Sequence, residues 1–306
     1  MLELYSDIHV KVEAPEKSIT FPGPKLATPE IMPLVVELLR EAEASGSDAF
    51  MITVGGIAWR GQLQNCVDGR WYRLRKTPGK PPTLKSLALP LAAPIEELLL
   101  HPKLKLGGIV YVCGGPGQGK THTASATVVS RLEKFGGVGF TIEDPPEIPL
   151  SGWHGDGFCS QSWVDGNRAS DWDSAFVRVL RSQPVSTPSI LYVGEVRRPE
   201  TAKAMLRAAN NGFLVVSTGF GASLLSGLDA FARLAGEENT DVLGNQLRVV
   251  IHQKLGDLLH ASVLVSPDAN SPVAQRIKNG KLDQLSSDLN LQTNQLRMGQ
   301  TIWPEH

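Results

Sequence analysis

The sequence has few cysteines and no excess of charge of either sign. Its 306 residues include three cysteines, Cys66, Cys113 and Cys159, and no CxxC pair. This pattern predicts free thiols in a reducing compartment rather than a disulfide framework. Lys and Arg number 30 against 31 Asp and Glu, so the formal net charge is −1. A protein whose main work is to coat DNA or RNA normally carries a basic excess, and the charge balance argues against that class.

The chain also lacks a long uninterrupted apolar run. The nearest one, residues 84–100, is broken by Lys85, two prolines and two glutamates. It falls short of the about 18 apolar residues that indicate a membrane-spanning helix. Residues 1–17 carry charges throughout, unlike a secretory signal peptide. We therefore expect a cytoplasmic protein that is associated with a membrane only peripherally or through a partner.

The pattern of apolar residues changes character near residue 107. Before that point the sequence predicts a helix starting at Thr28, strands at 49–54, 57–67 and 70–76, and a proline-interrupted helix in 87–100. After it, apolar strands alternate with helices, which predicts a parallel sheet with helical cover. Residues beyond about 266 are expected to form a helical tail, with 272–278 and 282–289 as candidate helices.

One motif carries recognisable chemistry. Residues 114–121 read Gly-Gly-Pro-Gly-Gln-Gly-Lys-Thr and match the P-loop (Walker A) pattern G-x-x-x-x-G-K-[ST] at every fixed position, between a strand and a helix. Such glycines let backbone N–H groups curl around phosphate oxygens, and the helix N-terminus adds a favourable partial charge. Lys120 is expected to neutralise the β- and γ-phosphates of ATP, and the Thr121 hydroxyl to bind Mg²⁺. The alternative is a glycine-rich turn with a chance lysine.

The predicted nucleotide site takes in the whole loop and the first turn of the helix. Its residues are Gly115, Pro116, Gly117, Gln118, Gly119, Lys120, Thr121 and His122. His122 is included because it directly follows the P-loop threonine. Its alternative is a first-turn helix residue that faces solvent or core.

Two glutamates end apolar strands farther along the chain. Glu143 follows Phe140-Thr141-Ile142, and Glu195 follows residues 190–194. Acidic groups at the C-terminal ends of parallel strands lie on the ligand edge of a sheet. We expect Glu195 to lie close to the metal and Glu143 to position or deprotonate the attacking water, although the two roles could be exchanged. The alternatives are a solvated acidic loop for Glu143 and an ordinary strand end for Glu195.

Two arginines share one face of a predicted helix. Arg178 and Arg181 are three residues apart, the spacing that brings side chains together on a helix. They are expected to offset charge on the transferring phosphoryl group as arginine fingers do, in cis or across a subunit boundary. The alternative is a solvated basic edge.

Together these segments resemble the type II/type IV secretion ATPase superfamily, and most closely its type IV pilus retraction (twitching-motility) branch. The family's Asp box is similar to Thr-Ile-Glu-Asp-Pro-Pro-Glu at 141–147, its paired arginines to 176–181, and its Walker B run to 190–197. The resemblance spans about 45–289. It implies an N-terminal PAS-like α+β domain with its linker (1–102), a RecA-like ATPase domain (103–266) and a C-terminal helical tail (267–306).

The resemblance also implies an ATP-hydrolysing hexameric motor that docks on an inner-membrane platform protein and makes no direct contact with nucleic acid. A motor for conjugative DNA transfer or effector secretion is an alternative, because the core motifs are shared. A weakly hydrolysing, nucleotide-binding structural subunit is another. The family's Thr-Leu-His-Thr His box reads Thr218-Gly219-Phe220-Gly221 here, so the histidine is absent.

A nucleic-acid helicase is a fourth possibility, because RecA-like rings also move DNA. The basic and aromatic residues of 70–76 could form a platform that binds single strands. The alternative, an amphipathic hairpin strand at a surface, fits the alternation of these side chains.

Overall fold

The computed structural model describes residues 4–77, 79–164 and 169–303. The chain divides into two compact units. The first comprises Met1–Pro81 with Pro145–Pro149, and the second comprises Pro82–Asp144 with Leu150–His306. Residues 304–306 of the expected helical tail lie outside the described residues.

The first unit is an antiparallel sheet packed against one helix. The sheet order is β3-β2-β1-β6-β5-β4. Its strands are β1 (Asp7–Lys11), β2 (Ile19–Phe21), β3 (Lys25–Leu26), β4 (Ala49–Val54), β5 (Ile57–Cys66) and β6 (Gly69–Lys76). Helix α1 (Met32–Ala44) buries Leu34, Val35 and Leu38 in a core that includes Trp59. The three predicted strands β4, β5 and β6 are confirmed to within one residue at their ends, and Val67 and Asp68 form the tight turn between the last two, since Cys66 pairs with Gly69.

The predicted start of α1 at Thr28 is wrong. The helix begins at Met32, with Pro33 in its first turn and no side-chain cap at Ile31. Thr28 contributes its carbonyl oxygen, which accepts hydrogen bonds from the backbone N–H groups of Ile31 and Met32. The proline that the N-terminal turn accommodates is therefore Pro33 and not Pro29.

The second unit is a mixed sheet covered by helices on both faces. The sheet order is β14-β13-β7-β12-β11-β8-β10-β9. Its strands are β7 (Gly108–Gly114), β8 (Gly137–Ile142), β9 (Gly152–His154), β10 (Gly157–Ser160), β11 (Ser189–Glu195), β12 (Leu214–Phe220), β13 (Leu247–Leu255) and β14 (Leu259–Val265). The six strands from β13 to β10 pair in parallel, and β14 and β9 add antiparallel edges. The predicted α/β class with a smaller N-terminal α+β unit is confirmed.

Helices alternate with strands in the second unit as predicted, although two helices that were not predicted follow β12 in succession. The helices of this unit are α2 (Ala93–Leu99), α3 (Lys120–Phe135), α4 (Ala169–Arg181), α5 (Pro199–Asn210), α6 (Leu224–Ala235), α7 (Thr240–Gln246), α8 (Pro272–Lys278) and α9 (Leu285–Arg297). The prediction for 272–278 is confirmed, whereas 282–289 divides into a short 3-10 turn and the start of α9. None of the helices in the described ranges is both long and apolar enough to cross a bilayer.

The register of the parallel strands decides where the site lies. Val193 on β11 is level with Ile142 on β8, and Glu195 is level with Thr218 on β12. On β12, Phe220 is level with Gly114, the last residue of β7. The carboxyl ends of these four strands therefore meet at one edge, where ligands of parallel sheets bind.

Candidate functional site

The P-loop joins β7 to α3 at this edge. Gly117 and Gly119 adopt φ angles of 69° and 74°, the left-handed region that favours glycine. Gly119 is the N-cap of α3, and no side-chain hydrogen bond caps the helix there. The Lys120 Nζ donates to the Gly115 carbonyl oxygen at 2.8 Å, across the loop. The first-turn amides of a 16-residue helix are thus directed at the loop without a side-chain acceptor, the arrangement that binds phosphate.

Residues at the end of β13, outside the motif, form hydrogen bonds with the P-loop. Gln253 Nε2 donates to the Gln118 carbonyl oxygen at 2.5 Å, and the Leu255 N–H donates to Gln118 Oε1 at 2.6 Å. A β-carbon on Gly114 would lie 2.6 Å from the Gln253 carbonyl oxygen. Gln253 is only 1% exposed. Sequence reasoning missed this residue, because β13 also carries Arg248, His252 and Lys254, so a glutamine there does not stand out.

Glu143 is buried at the end of β8. The residue is 2% exposed, and its Oε1 accepts a hydrogen bond from Gln161 Nε2 at 2.9 Å. A β-carbon on Gly194 would lie 3.5 Å from the Glu143 Cγ, so Glu143 packs against the residue that precedes Glu195. The structure therefore brings Glu143 beside the end of β11. Glu147, the last acid of the same sequence segment, pairs with Arg60 within the first unit.

Glu195 is more accessible than Glu143. Its side chain is 30% exposed, and Oε2 accepts a hydrogen bond from Arg197 Nε at 2.7 Å. Thr218 and Ser217 of β12 donate their hydroxyls to the carbonyl oxygens of Gly194 and Val193, both at 2.7 Å. These bonds hold the end of β11 in place and leave the Glu195 carboxylate at the open edge.

His122, Arg178 and Arg181 are exposed. His122 lies in the first turn of α3 and faces solvent, as its alternative interpretation anticipates. The two arginines lie in the last turn of α4 on a common exposed face, which confirms their predicted placement on one helix. Among the hydrogen bonds and ion pairs seen in the described residues, none joins Arg178 or Arg181 to the P-loop, Glu143 or Glu195.

The positions that resemble the family's His box are occupied by a small and a large residue. Gly219 is buried, and a β-carbon there would overlap the Tyr111 hydroxyl. Phe220 is 59% exposed beside Gly114 at the start of the P-loop. Tyr111 thus fills the space of a side chain at 219, and an aromatic ring stands in place of the imidazole.

Burial raises the pKa values of two side chains on β7, the strand that leads into the P-loop. Burial raises the pKa of Cys113, the residue before Gly114, to about 12, although Lys120 acts in the opposite direction. Burial also raises the pKa of Tyr111, with smaller contributions from Cys113 and Glu195. Both groups therefore stay neutral at physiological pH, and neither supplies a base or nucleophile.

The candidate metal ligands are oxygen atoms only. The described residues contain no group of three or more His, Cys, Asp and Glu side chains placed to hold a metal. Thr121 in the first turn of α3 and Glu195 offer a hydroxyl and a carboxylate. Mg²⁺ is commonly held by one or two protein oxygens together with substrate phosphates, so this sparse donor set fits Mg²⁺ and not a dedicated protein cage.

The chain is similar to known secretion and motility proteins. The family model described as "Type II/IV secretion system protein" matches residues 74–284. The type II secretion system protein HxcR of Pseudomonas aeruginosa is 35% identical over 126 residues, which are 41% of this chain and 24% of that protein. A twitching motility protein of Neisseria gonorrhoeae is 29% identical over 206 residues, 64% of this chain and 52% of that protein.

The chain therefore matches about a quarter and about half of the length of these two relatives. A crystal structure of the pilus retraction motor PilT with bound ADP superposes with a TM-score of 0.70 at 24% identity, over 98% of this chain and 88% of that one. It shows the same fold, which confirms the expected RecA-like domain with its smaller N-terminal domain. Because the family model covers more than half of its residues, the chain belongs to the type II/IV secretion system protein family.

Proposed function

We propose that this chain is an ATP-hydrolysing motor subunit of a type IV pilus or of a related secretion machine. One observation carries the proposal: an uncapped helix N-terminus in a P-loop shares a sheet edge with two carboxylates on neighbouring strands. The names of the relatives, a secretion protein, a twitching motility protein and a retraction motor, support the same class of machine.

In this proposal the loop residues Gly115 to Lys120 hold the phosphates of ATP. The backbone amides of the loop and of the first turn of α3 donate to phosphate oxygens. Lys120 exchanges its bond to the Gly115 carbonyl oxygen for one to a phosphate oxygen. The PilT structure contains ADP, which supports a nucleotide as the ligand.

Thr121 and Glu195 are the proposed Mg²⁺ ligands, with Glu195 acting through water. Mg²⁺ neutralises charge on the phosphates when it is bound. The Arg197 guanidinium, which is well exposed, contacts Glu195 Oε2 through both Nε and a terminal nitrogen. Because Arg197 is well exposed, it can release Glu195 without breaking a buried pair.

Glu143 is the proposed group that orients the attacking water and accepts its proton. A buried carboxylate with a fixed hydrogen-bond partner is well placed to do this, because its orientation is set before the substrate arrives. Arg178 and Arg181, exposed on α4, are proposed to reach the γ-phosphate of a site that is completed by assembly into a hexameric ring.

The domain limits and partners are part of the same proposal. We assign 1–102 to the N-terminal domain and linker, 103–266 to the ATPase domain and 267–306 to the helical tail. The motor is proposed to work in the cytoplasm on an inner-membrane platform protein, and nucleic acid is not among its direct partners.

Phosphate release from Mg²⁺-ATP by the purified chain tests the activity. Lys120→Ala is expected to lose about 100-fold or more of turnover, because one electrostatic contact to the transferring group is removed. Lys85→Ala, an exposed lysine on the linker, is the matched control and is expected to keep the parent rate. Turnover that survives Lys120→Ala would contradict the proposal, and sedimentation with and without nucleotide tests the ring.

Phe220 favours a second candidate, a nucleotide-binding subunit that hydrolyses ATP weakly. An apolar ring beside the P-loop cannot donate or accept a proton as an imidazole can. If this candidate holds, the parent binds a fluorescent ATP analogue, has slow turnover, and gains rate in Phe220→His. A fast parent, or a Phe220→His variant with no gain, would reject it.

A further inference from the structure

Gln161 makes two hydrogen bonds that fix its own orientation. Its Oε1 accepts from the Leu150 N–H at 2.7 Å, and its Nε2 donates to Glu143 Oε1 at 2.9 Å. The backbone N–H of Leu150 can only donate, so the oxygen of the amide must face Leu150. The NH₂ group is consequently directed at the Glu143 carboxylate.

The segment that carries Gln161 is itself tied to the end of β8. The Ser162 N–H donates to Thr141 Oγ1 at 3.0 Å, and the Ser162 hydroxyl donates to the Thr141 carbonyl oxygen at 2.7 Å. The Val164 N–H donates to the Glu143 carbonyl oxygen at 2.8 Å. The backbones on either side of the Gln161–Glu143 contact are therefore held in register, so the contact does not depend on a flexible loop.

Glu143 needs such a partner because its side chain is long and its position is confined. Three side-chain torsions must be fixed to aim its carboxylate, at a cost of up to about 2 kcal/mol in rotamer entropy. One side of the side chain packs against Gly194, and Gln161 holds one carboxylate oxygen. A preorganised donor that selects one rotamer lowers that cost before substrate binds.

We propose that Gln161 is the positioning residue for Glu143, and that it sets both the aim and the charge of the catalytic carboxylate. This inference rests on the proposed role of Glu143 in activating water. Gln161 acts through Glu143 and is not itself a catalytic residue. Its amide donation stabilises the ionised carboxylate, the form that can accept a proton.

The main test replaces Gln161 by Glu. This change keeps an oxygen for the Leu150 N–H but removes the donor to Glu143, so it separates the two hydrogen bonds. We expect kcat to fall about 10- to 100-fold, as is typical when a residue that orients a functional side chain is lost. The KM for ATP should stay within about twofold of the parent value. The acid limb of the pH–rate profile should move to higher pH, because two adjacent carboxylates retain protons more strongly.

The swapped variant Gln161→Glu/Glu143→Gln separates catalysis from folding. It restores one donor and one acceptor with their positions exchanged, so the melting temperature should return towards that of the parent. Activity should not return, because the carboxylate no longer occupies position 143. The single variant should lose stability as pH rises from 4 to 8 in the absence of nucleotide, and the swapped variant should not.

Gln292 offers a matched control elsewhere in the second unit. Its amide also makes two buried hydrogen bonds, to the N–H and the carbonyl oxygen of Val265 at 2.7 and 2.8 Å. Gln292→Glu should lower the melting temperature but leave the pH–rate profile unchanged. Such a result shows that lost stability alone does not move the profile.

The outcomes distinguish this inference from the proposed function. If Glu143→Gln loses activity and Gln161→Glu keeps the parent kcat and pH profile, the inference alone is wrong. If Glu143→Gln keeps full activity, the proposed role of Glu143 is wrong, and the role of Gln161 in catalysis falls with it. A parent without turnover contradicts both.

Discussion

Tyr111 and Gly219 share one buried volume at the sheet edge that carries the P-loop. They lie on the neighbouring strands β7 and β12, and a β-carbon on Gly219 would overlap the Tyr111 hydroxyl. Tyr111 also stacks on Phe231, with ring centroids 4.9 Å apart, so it cannot simply move aside. The absence of a side chain at 219 and the presence of a large one at 111 are therefore one structural feature.

We predict that Gly219→Leu destabilises the second unit by about 1–3 kcal/mol, because extra methylenes overfill a packed core. Tyr111→Ala is also destabilising on its own, since it opens a cavity. The double variant should be more stable than the sum of the two single changes predicts, and urea unfolding measures this coupling. Additive effects would show that the two side chains do not compete for space.

Restoration of a family-like His box therefore requires more than one substitution. Phe220→His is expected to be tolerated, because Phe220 is exposed. A leucine at 219 is expected to need a smaller residue at 111. Substitution at 219 is thus expected to lower stability and substitution at 220 is not, a difference that comparison of the motifs alone does not reveal.

Gln253 should affect nucleotide binding although it lies outside the P-loop motif. Gln253→Leu removes the donor to the Gln118 carbonyl oxygen and leaves that oxygen short of a partner. The cost of such a loss is about 1–3 kcal/mol, so we expect ATP affinity to weaken about tenfold. Titration with a fluorescent ATP analogue measures this.

Lys254→Ala is the control for Gln253, because Lys254 is the exposed neighbour on the same strand. It should bind ATP as the parent does. If the parent and Gln253→Leu bind ATP with equal affinity, the hydrogen bond from β13 does not affect nucleotide binding by the P-loop.

Local sequence predicted the elements that contain an apolar run and are bounded by glycine or proline. The bounds of β4 and α8 agree with the predicted ones, because glycine follows β4 and proline begins α8. Strand β3 was missed because it has two residues, both exposed, and carries no apolar alternation. The start of α1 was wrong because two prolines, Pro29 and Pro33, offered competing starts.

Some residues of the candidate site were predicted from the sequence and others were not. The placement of the P-loop, Glu143 and Glu195 at the ends of neighbouring strands was predicted, because an apolar run marks each strand and residue type marks its end, and their roles stay predictions. Gln161 and Gln253 were not, because a single amide takes its role from partners 18 and 135 residues away in the chain. Whether Arg178 and Arg181 reach a nucleotide depends on assembly, and their roles stay predictions.

The three thiols should differ sharply in reactivity. Burial raises the pKa of Cys113 and of Cys159 to about 12, so both remain protonated at pH 8 in the folded chain. Cys66 is partly exposed on β5. We expect iodoacetamide at pH 8 to modify Cys66 first and the other two only after unfolding in urea, as read by mass spectrometry.

The same two thiols predict how stability changes at alkaline pH. Their pKa is higher in the folded than in the unfolded chain, so the folded state holds their protons more tightly. The stability that this contributes is fully present below about pH 9 and is lost as pH rises towards 12. Cys113→Ala should flatten this part of the stability profile; an unchanged slope would contradict the assignment.

An ion pair between Arg276 of α8 and Asp288 of α9 should stabilise the C-terminal helices. Asp288 is 8% exposed, whereas the Arg276 side chain is 31% exposed, so solvent partly screens the charges. We expect Asp288→Asn to cost about 1–2 kcal/mol, the lower part of the range for a hydrogen bond to a charged group.

Unfolding of Asp288→Asn in urea measures this cost, and Asp283→Asn, a more exposed acid in the preceding turn, is the control. The difference between the two variants should shrink as salt increases, because only a charge interaction is screened. Since α9 also docks on β14 through Gln292, the helix should remain folded in both variants, with ATP turnover unchanged. A loss of turnover in Asp288→Asn alone would show that the tail acts on the P-loop edge of the sheet.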